Sequence, residues 1–111
     1  ANKDTLAALL PVLDDFDRAL KNTVATPENK AVLEGLKLIQ HKLAETLKNK
    51  GLIAMDSTIG RAFDVEEMEA ITQIPAPSPE LVGKIIDEVE KGYKIGEQVL
   101  RYAKVVVGKE A

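Results

Sequence analysis

Apolar residues recur at helical spacing through the first half of the chain. Beyond Gly51 the apolar runs become short, β-branched and punctuated by glycine and proline. Leu6, Leu9, Leu10, Leu13, Phe16, Ala19 and Leu20 mark one face of a first helix, with Asp14, Asp15, Arg18 and Lys21 on its polar side. Pro11 falls inside that pattern, where a missing N–H and a clash one turn back cost about 3 kcal/mol. A kink or a helix junction is expected there. Thr26-Pro27 is a restart signal, a threonine N-cap followed by proline at the first helical position. Val32, Leu36, Ile39, Leu43 and Leu47 then form the stripe of a second helix. It should stop at Gly51, with Lys48 and Lys50 in a last turn that suits cations.

The second half predicts strands over 52–56, 68–74, 84–94 and 97–107, with a turn over 64–67. Pro75-Ala76-Pro77-Ser78-Pro79 holds too many prolines for helix or ladder and reads as an exposed loop. Ile95-Gly96 reads as a short hairpin turn, glycine supplying the positive φ. Val105-Val106-Val107 shows no alternation, so either both its faces are covered or it is a contact surface.

Two short amphipathic helices leave one side of each apolar stripe wet, and a second copy of the chain is the natural cover. The sequence therefore predicts an α+β fold. Residues 1–51 are a helical dimerisation region, two helices contributed to a dimeric four-helix bundle, and 52–111 are a small β-rich domain. The expected dimer contacts are Leu6, Leu9, Leu13, Phe16, Leu20, Val32, Leu36, Ile39, Leu43 and Leu47.

Composition narrows the function classes. At 111 residues the chain is too short for a large enzyme core. Its net charge of −3 comes from lysines interleaved with acids, which gives no electrostatic reason to expect nucleic-acid binding. The absence of cysteine removes disulfides and thiolate-held zinc and is compatible with a reducing cytoplasm. No apolar run approaches membrane-spanning length, and Ala1-Asn2-Lys3 lacks a secretion signal and reads as entering partway along a longer helix.

Catalytic chemistry lacks its parts. The carboxylates Asp14, Asp15 and Asp17, or Glu66, Glu67 and Glu69, could hold magnesium or act as acid and base. Against that, Arg18 and Lys21 beside the first group describe a solvated helix side. His41 is the only histidine and has no partner ligand; Ser57 and Ser78 sit in no glycine-framed elbow. Gly92-Tyr93-Lys94-Ile95-Gly96 lacks the strand–loop–helix setting of a phosphate cradle, so the chain itself is not expected to bind nucleotide. No catalytic, metal or cofactor residue is assigned, and function must come from binding. Arg101, alone among apolar neighbours, either pairs with Glu90 or Glu88 or projects its planar fork toward a partner.

Several of these segments together resemble the GrpE family of nucleotide exchange factors for DnaK-type heat-shock chaperones. Leu9-Leu10-Pro11-Val12-Leu13-Asp14-Asp15-Phe16-Asp17-Arg18-Ala19-Leu20 looks like the segment where that family's long paired helices pass into a bundle, and Gly35-Leu36 is similar to its second bundle helix. The specific part follows in family order: Phe63-Asp64, Met68, Ala70-Ile71, Gly92-Tyr93, Glu97, Leu100-Arg101, Ala103, Val105 and Val107. Val65 departs from the family, which often has proline or a small or polar residue there.

The resemblance implies a homodimer with long N-terminal helices, of which this chain lacks most, a four-helix bundle and a β-rich wing on each protomer. It implies a wing that presses on the ATPase domain of a DnaK-type chaperone and opens its nucleotide cleft so that ADP leaves. It also implies thermosensing and a bacterial cytoplasm, in preference to an organelle of bacterial origin. Phe63, Asp64, Val65, Arg101 and Val107 are the expected chaperone-facing residues, with Val89 and Gln98 beside them. Phe63, Met68, Gly92 and Tyr93 could instead hold the wing together. The rival reading is a purely structural dimerisation module without exchange activity.

Overall fold

The computed structural model describes residues 2–111, so the expectation of a longer helix through Ala1 lies partly outside it. Two helices precede six strands, an α+β fold. The chain divides into two compact units, Ala1–Leu52 and Ile53–Ala111.

In the first unit, α1 (Asn2–Asn22) runs unbroken through Pro11, so there is no helix junction. Pro11 itself is exposed, so its ring and its missing N–H face away from the buried leucines. The α2 helix (Lys30–Asn49) starts three residues after the expected Pro27. The Thr26 signal is nonetheless used. Thr26 N–H donates to Asn29 Oδ1 at 2.8 Å, and Asn29 N–H donates to Thr26 Oγ1 at 3.2 Å. This reciprocal pair is a capping box spanning the turn that leads into α2. At the other end Gly51 takes φ 98°, and its N–H donates to the Lys48 carbonyl at 2.9 Å, closing the helix as expected.

Leu6, Leu10, Leu33 and Leu47 are buried in the single chain. Leu9, Leu13, Phe16, Leu20, Leu36 and Leu43 are half-buried. Val32 and Ile39, on the α2 stripe, remain 63% and 57% exposed. Leu6 and Leu47 are therefore core of the protomer itself, while the Val32–Ile39 stripe is uncovered.

The second unit holds two three-stranded sheets. One has the order β1 (Leu52–Ala54), β4 (Tyr93–Ile95), β5 (Gln98–Arg101); the other has β2 (Met68–Pro75), β6 (Ala103–Lys109), β3 (Ile85–Glu90). β6 is the centre of the second sheet, parallel to β2 and antiparallel to β3. A central strand covered on both faces needs no alternation, and Val105, Val106 and Val107 are all buried. Met68, Ile85, Ala103, Val105 and Val107 form the core, with Met55 packed against it.

Two expected long strands are each broken in two. The run 84–94 stops at Glu90 and resumes at Tyr93; the run 97–107 is interrupted at Tyr102 and extends to Lys109. Both breaks occur where the chain passes from one sheet to the other. The β4–β5 hairpin closes over Gly96-Glu97, one residue later than expected, with Ile95 paired to Gln98 and Gly96 at φ 59°. The 64–67 turn is present. Pro75 ends β2, and the proline loop closes in a 3₁₀ turn, Pro79–Leu81.

Candidate functional site

The 63–67 turn is built by Asp64. Its carboxylate Oδ1 accepts the Glu66 N–H at 2.9 Å, and its carbonyl accepts the N–H groups of Glu67 and Met68 at 3.1 and 2.8 Å. An aspartate bonding backbone two residues on is a self-contained turn device, so Val65 is held at the apex, 70% exposed. Phe63 precedes it, partly exposed, its N–H donating to the Gly83 carbonyl at 3.3 Å. Exposed Val82 adjoins that glycine, which gives the Phe63–Val65 turn an apolar neighbour. Ile59 and Val82 were not among the sequence candidates. Their only sequence signal is an apolar residue directly before glycine, Ile59-Gly60 and Val82-Gly83, outside any alternating run.

The other candidates are dispersed. Val89 is exposed on β3, and Gln98 is exposed on β5 of the other sheet. Val107 corrects the expectation of a partner-facing residue: it is 6% exposed within the core cluster, because β6 is a central strand with both faces covered.

Arg101 ends β5 and is not on the valine strand. Its Nε and Nη2 both donate to the Lys91 carbonyl, at 3.0 and 2.7 Å. Its Nε lies 3.3 Å from Glu90 Oε1, and its guanidinium sits 5.3 Å from the centroid of the Tyr93 ring. The side chain is 18% exposed. The expected local pairing with Glu90 is present, a role that can coexist with partner recognition.

Two polar ties have no sequence signature. Thr58 is fully buried, and its hydroxyl and N–H both donate to Glu88 Oε2, at 2.6 and 3.1 Å, pinning the 55–67 loop to β3. Glu67 pairs with Lys94 on β4 and lies 3.6 Å from Arg61 Nη2, along a cleft of about 430 Å³ that Met55 and Asp56 also line. The hydrogen bond from Lys94 holds the Glu67 carboxyl below its ordinary 4.5, and the Arg61 charge acts in the same direction. A carboxylate with a depressed folded pKa stabilises the fold above its unfolded pKa and loses that effect as pH falls through the folded value. Glu67→Gln should therefore lower the urea midpoint of the β unit at neutral pH. The gap from the parent should close as the pH falls below the ordinary 4.5 and through the lowered folded value. A gap that stays constant across that range would mean the tie is not electrostatic.

Two of the α1 acids are in ion pairs, Asp15 with Arg18 at 2.9 Å and Asp17 with Lys21 at 3.1 Å. Among the described residues no group of three His, Cys, Asp or Glu side chains could hold a metal ion. No helix among them is long and apolar enough to cross a membrane. The β unit exposes apolar side chains at Phe63, Val65, Val82 and Val89.

The sequence model of the GrpE family matches residues 1–109. The chain is 48% identical over 103 residues to Protein GrpE of Parabacteroides distasonis, covering 93% of this chain and 53% of that protein. It is 42% identical to Protein GrpE of Bacteroides thetaiotaomicron (94% of this chain, 53% of that protein) and 44% identical to that of Porphyromonas gingivalis (93% and 53%). The chain thus spans about half the length of these curated relatives. With a family match across both its helical and its β unit, the chain belongs to the GrpE family.

Proposed function

We propose that this chain is the bundle-and-wing part of a nucleotide exchange factor, a co-chaperone that binds the ATPase domain of a DnaK-type chaperone and promotes ADP release in protein folding and the heat-shock response. The observation that carries the reading is the exposed apolar set Phe63, Val65 and Val82 around a self-closed turn, on a β unit that offers no catalytic constellation. The family resemblance supplies the partner. The helical unit serves as the dimerisation element, its uncovered Val32–Ile39 stripe meeting a second copy. The setting is the bacterial cytoplasm.

The physics required is a population shift. A wing that binds the open ATPase domain more tightly than the closed one favours the open state by that difference in affinity. Accelerating release about a thousandfold needs about 4 kcal/mol of barrier lowering. A few well-packed apolar anchors suffice for that, and the chain itself need hold no nucleotide.

The test is release of a fluorescent ADP analogue from a DnaK-type chaperone. Saturable acceleration by this chain is expected, and Val65→Asp should reduce it without unfolding the β unit. Absence of acceleration, together with absence of binding to the ATPase domain, would leave the structural dimerisation module as the reading.

A further inference from the structure

Two stretches of chain pass between the sheets of the β unit. β3 leads into β4 through Lys91-Gly92, and β5 leads into β6 through Tyr102. The two stretches run against each other. A Cβ on Gly92 would lie 2.8 Å from the Ala103 nitrogen and 3.1 Å from the Arg101 carbonyl oxygen. Tyr93, the next residue, pairs with Arg101 in the β4–β5 ladder. Arg101 is thus the last residue of one stretch before it crosses. Its guanidinium reaches back to the other, gripping the Lys91 carbonyl through two N–H groups, pairing with Glu90 and stacking on Tyr93. Lys104, on the far side of the same crossing, places its Nζ 3.9 Å from the same Glu90 oxygen.

A planar fork that satisfies one carbonyl twice while lying on a ring is fixed in both position and plane, which a lysine in its place could not reproduce. Such a fork bridges the two stretches at the point where the chain crosses between the sheets. Val89 stands on β3, immediately before Glu90, and Gln98 stands on β5, three residues before Arg101. Their separation and relative direction depend on how the sheets meet at this crossing.

We propose that Arg101 is a positioning residue. Its guanidinium clamps the Lys91-Gly92 crossing and so sets the orientation of the β1-β4-β5 sheet on the β2-β6-β3 sheet, and through it the partner surface carried on both. The part of this inference that concerns the partner rests on the exchange-factor reading. The part that concerns the clamp does not.

The test has two arms, both on the full chain. In the first, residual dipolar couplings of backbone amides are measured with no partner present. The parent protein should fit one alignment tensor across both sheets, whereas Arg101→Ala should need a separate tensor for each. In the second, affinity for the ATPase domain of a DnaK-type chaperone should fall about tenfold in Arg101→Ala. Tyr93→Leu, at a side chain only 9% exposed in the parent and so out of a partner's reach, should weaken binding in the same direction. Its effect should not add to that of Arg101→Ala. Should Tyr93→Leu fail to fold, Glu90→Gln takes its place.

A single tensor in Arg101→Ala combined with weakened binding would overturn the clamp in favour of direct contact. Unchanged affinity with separate tensors would overturn the link to the partner surface. If the parent itself does not bind the ATPase domain, the exchange-factor reading falls, and the couplings alone decide the clamp.

Discussion

Gly92→Ala is expected to destabilise the β unit by about 3 kcal/mol, the upper end of what overpacking usually costs. The added Cβ would meet Met55 Sδ at 2.4 Å, the Ala103 nitrogen at 2.8 Å and the Arg101 carbonyl at 3.1 Å. The thioether is the end of a flexible side chain and can move. The other two atoms are backbone at the strand crossing and cannot shift without parting the sheets. Gly92 is not among the positive-φ glycines, so the cost is steric and not conformational. Gly96→Ala makes the informative control. Gly96 sits at φ 59° with nothing within 4 Å of its would-be Cβ, so alanine there meets only backbone strain of about 1 kcal/mol. Urea titrations of both variants, followed by far-UV circular dichroism, measure the difference. A Gly92→Ala midpoint no lower than that of Gly96→Ala would show that the crossing has room to spare.

Substituting Val32→Asp together with Ile39→Asp is expected to abolish dimerisation. The two side chains lie one above the other on the α2 stripe, with half-buried Leu36 between them, and each remains more than half exposed in the single chain. Fully burying such a side chain contributes about 1.5–3 kcal/mol, and with 63% and 57% of the exposure remaining the pair forfeits about 2–4 kcal/mol per protomer. Both copies lose it at once across a two-fold interface. Sedimentation equilibrium should show a dimer for the parent chain and a monomer for the variant, with the β unit still folded. The parent's helical melt should also move up with protein concentration, as a dissociating dimer requires. A doubly substituted chain that stays dimeric would place the interface on a different face. A parent that is monomeric at every concentration would remove the dimer altogether.

Legibility in the sequence followed the range of the interaction concerned. Thr26 marks the turn that leads into α2 and Gly51 marks its end, because caps join residues a few positions apart. Asp64 could be read as a turn, and Gly96 as part of a hairpin turn, for the same reason. Pro11 did not mark a helix junction, because α1 carries it on an exposed position and continues through it. Phe63, Val65, Val89 and Gln98 could be picked out as surface candidates, yet nothing local separates them from Ile59 or Val82, which are as accessible or more so than Phe63. Thr58 and Glu88 are thirty residues apart and carry no pattern that would join them.

The sequence by itself determined the α+β order of elements and the amphipathic stripes, because periodicity, capping and turn chemistry act within a few residues. Only the tertiary structure decided that β2 would lie parallel to β6 and that two long strands would break at Gly92 and Tyr102 to cross between sheets. It also decided that Val107 would belong to the core and Arg101 to the crossing. Those outcomes depend on which distant strand a segment pairs with. Pairing is chosen by the burial of the whole β unit, and no single stretch of chain carries that information.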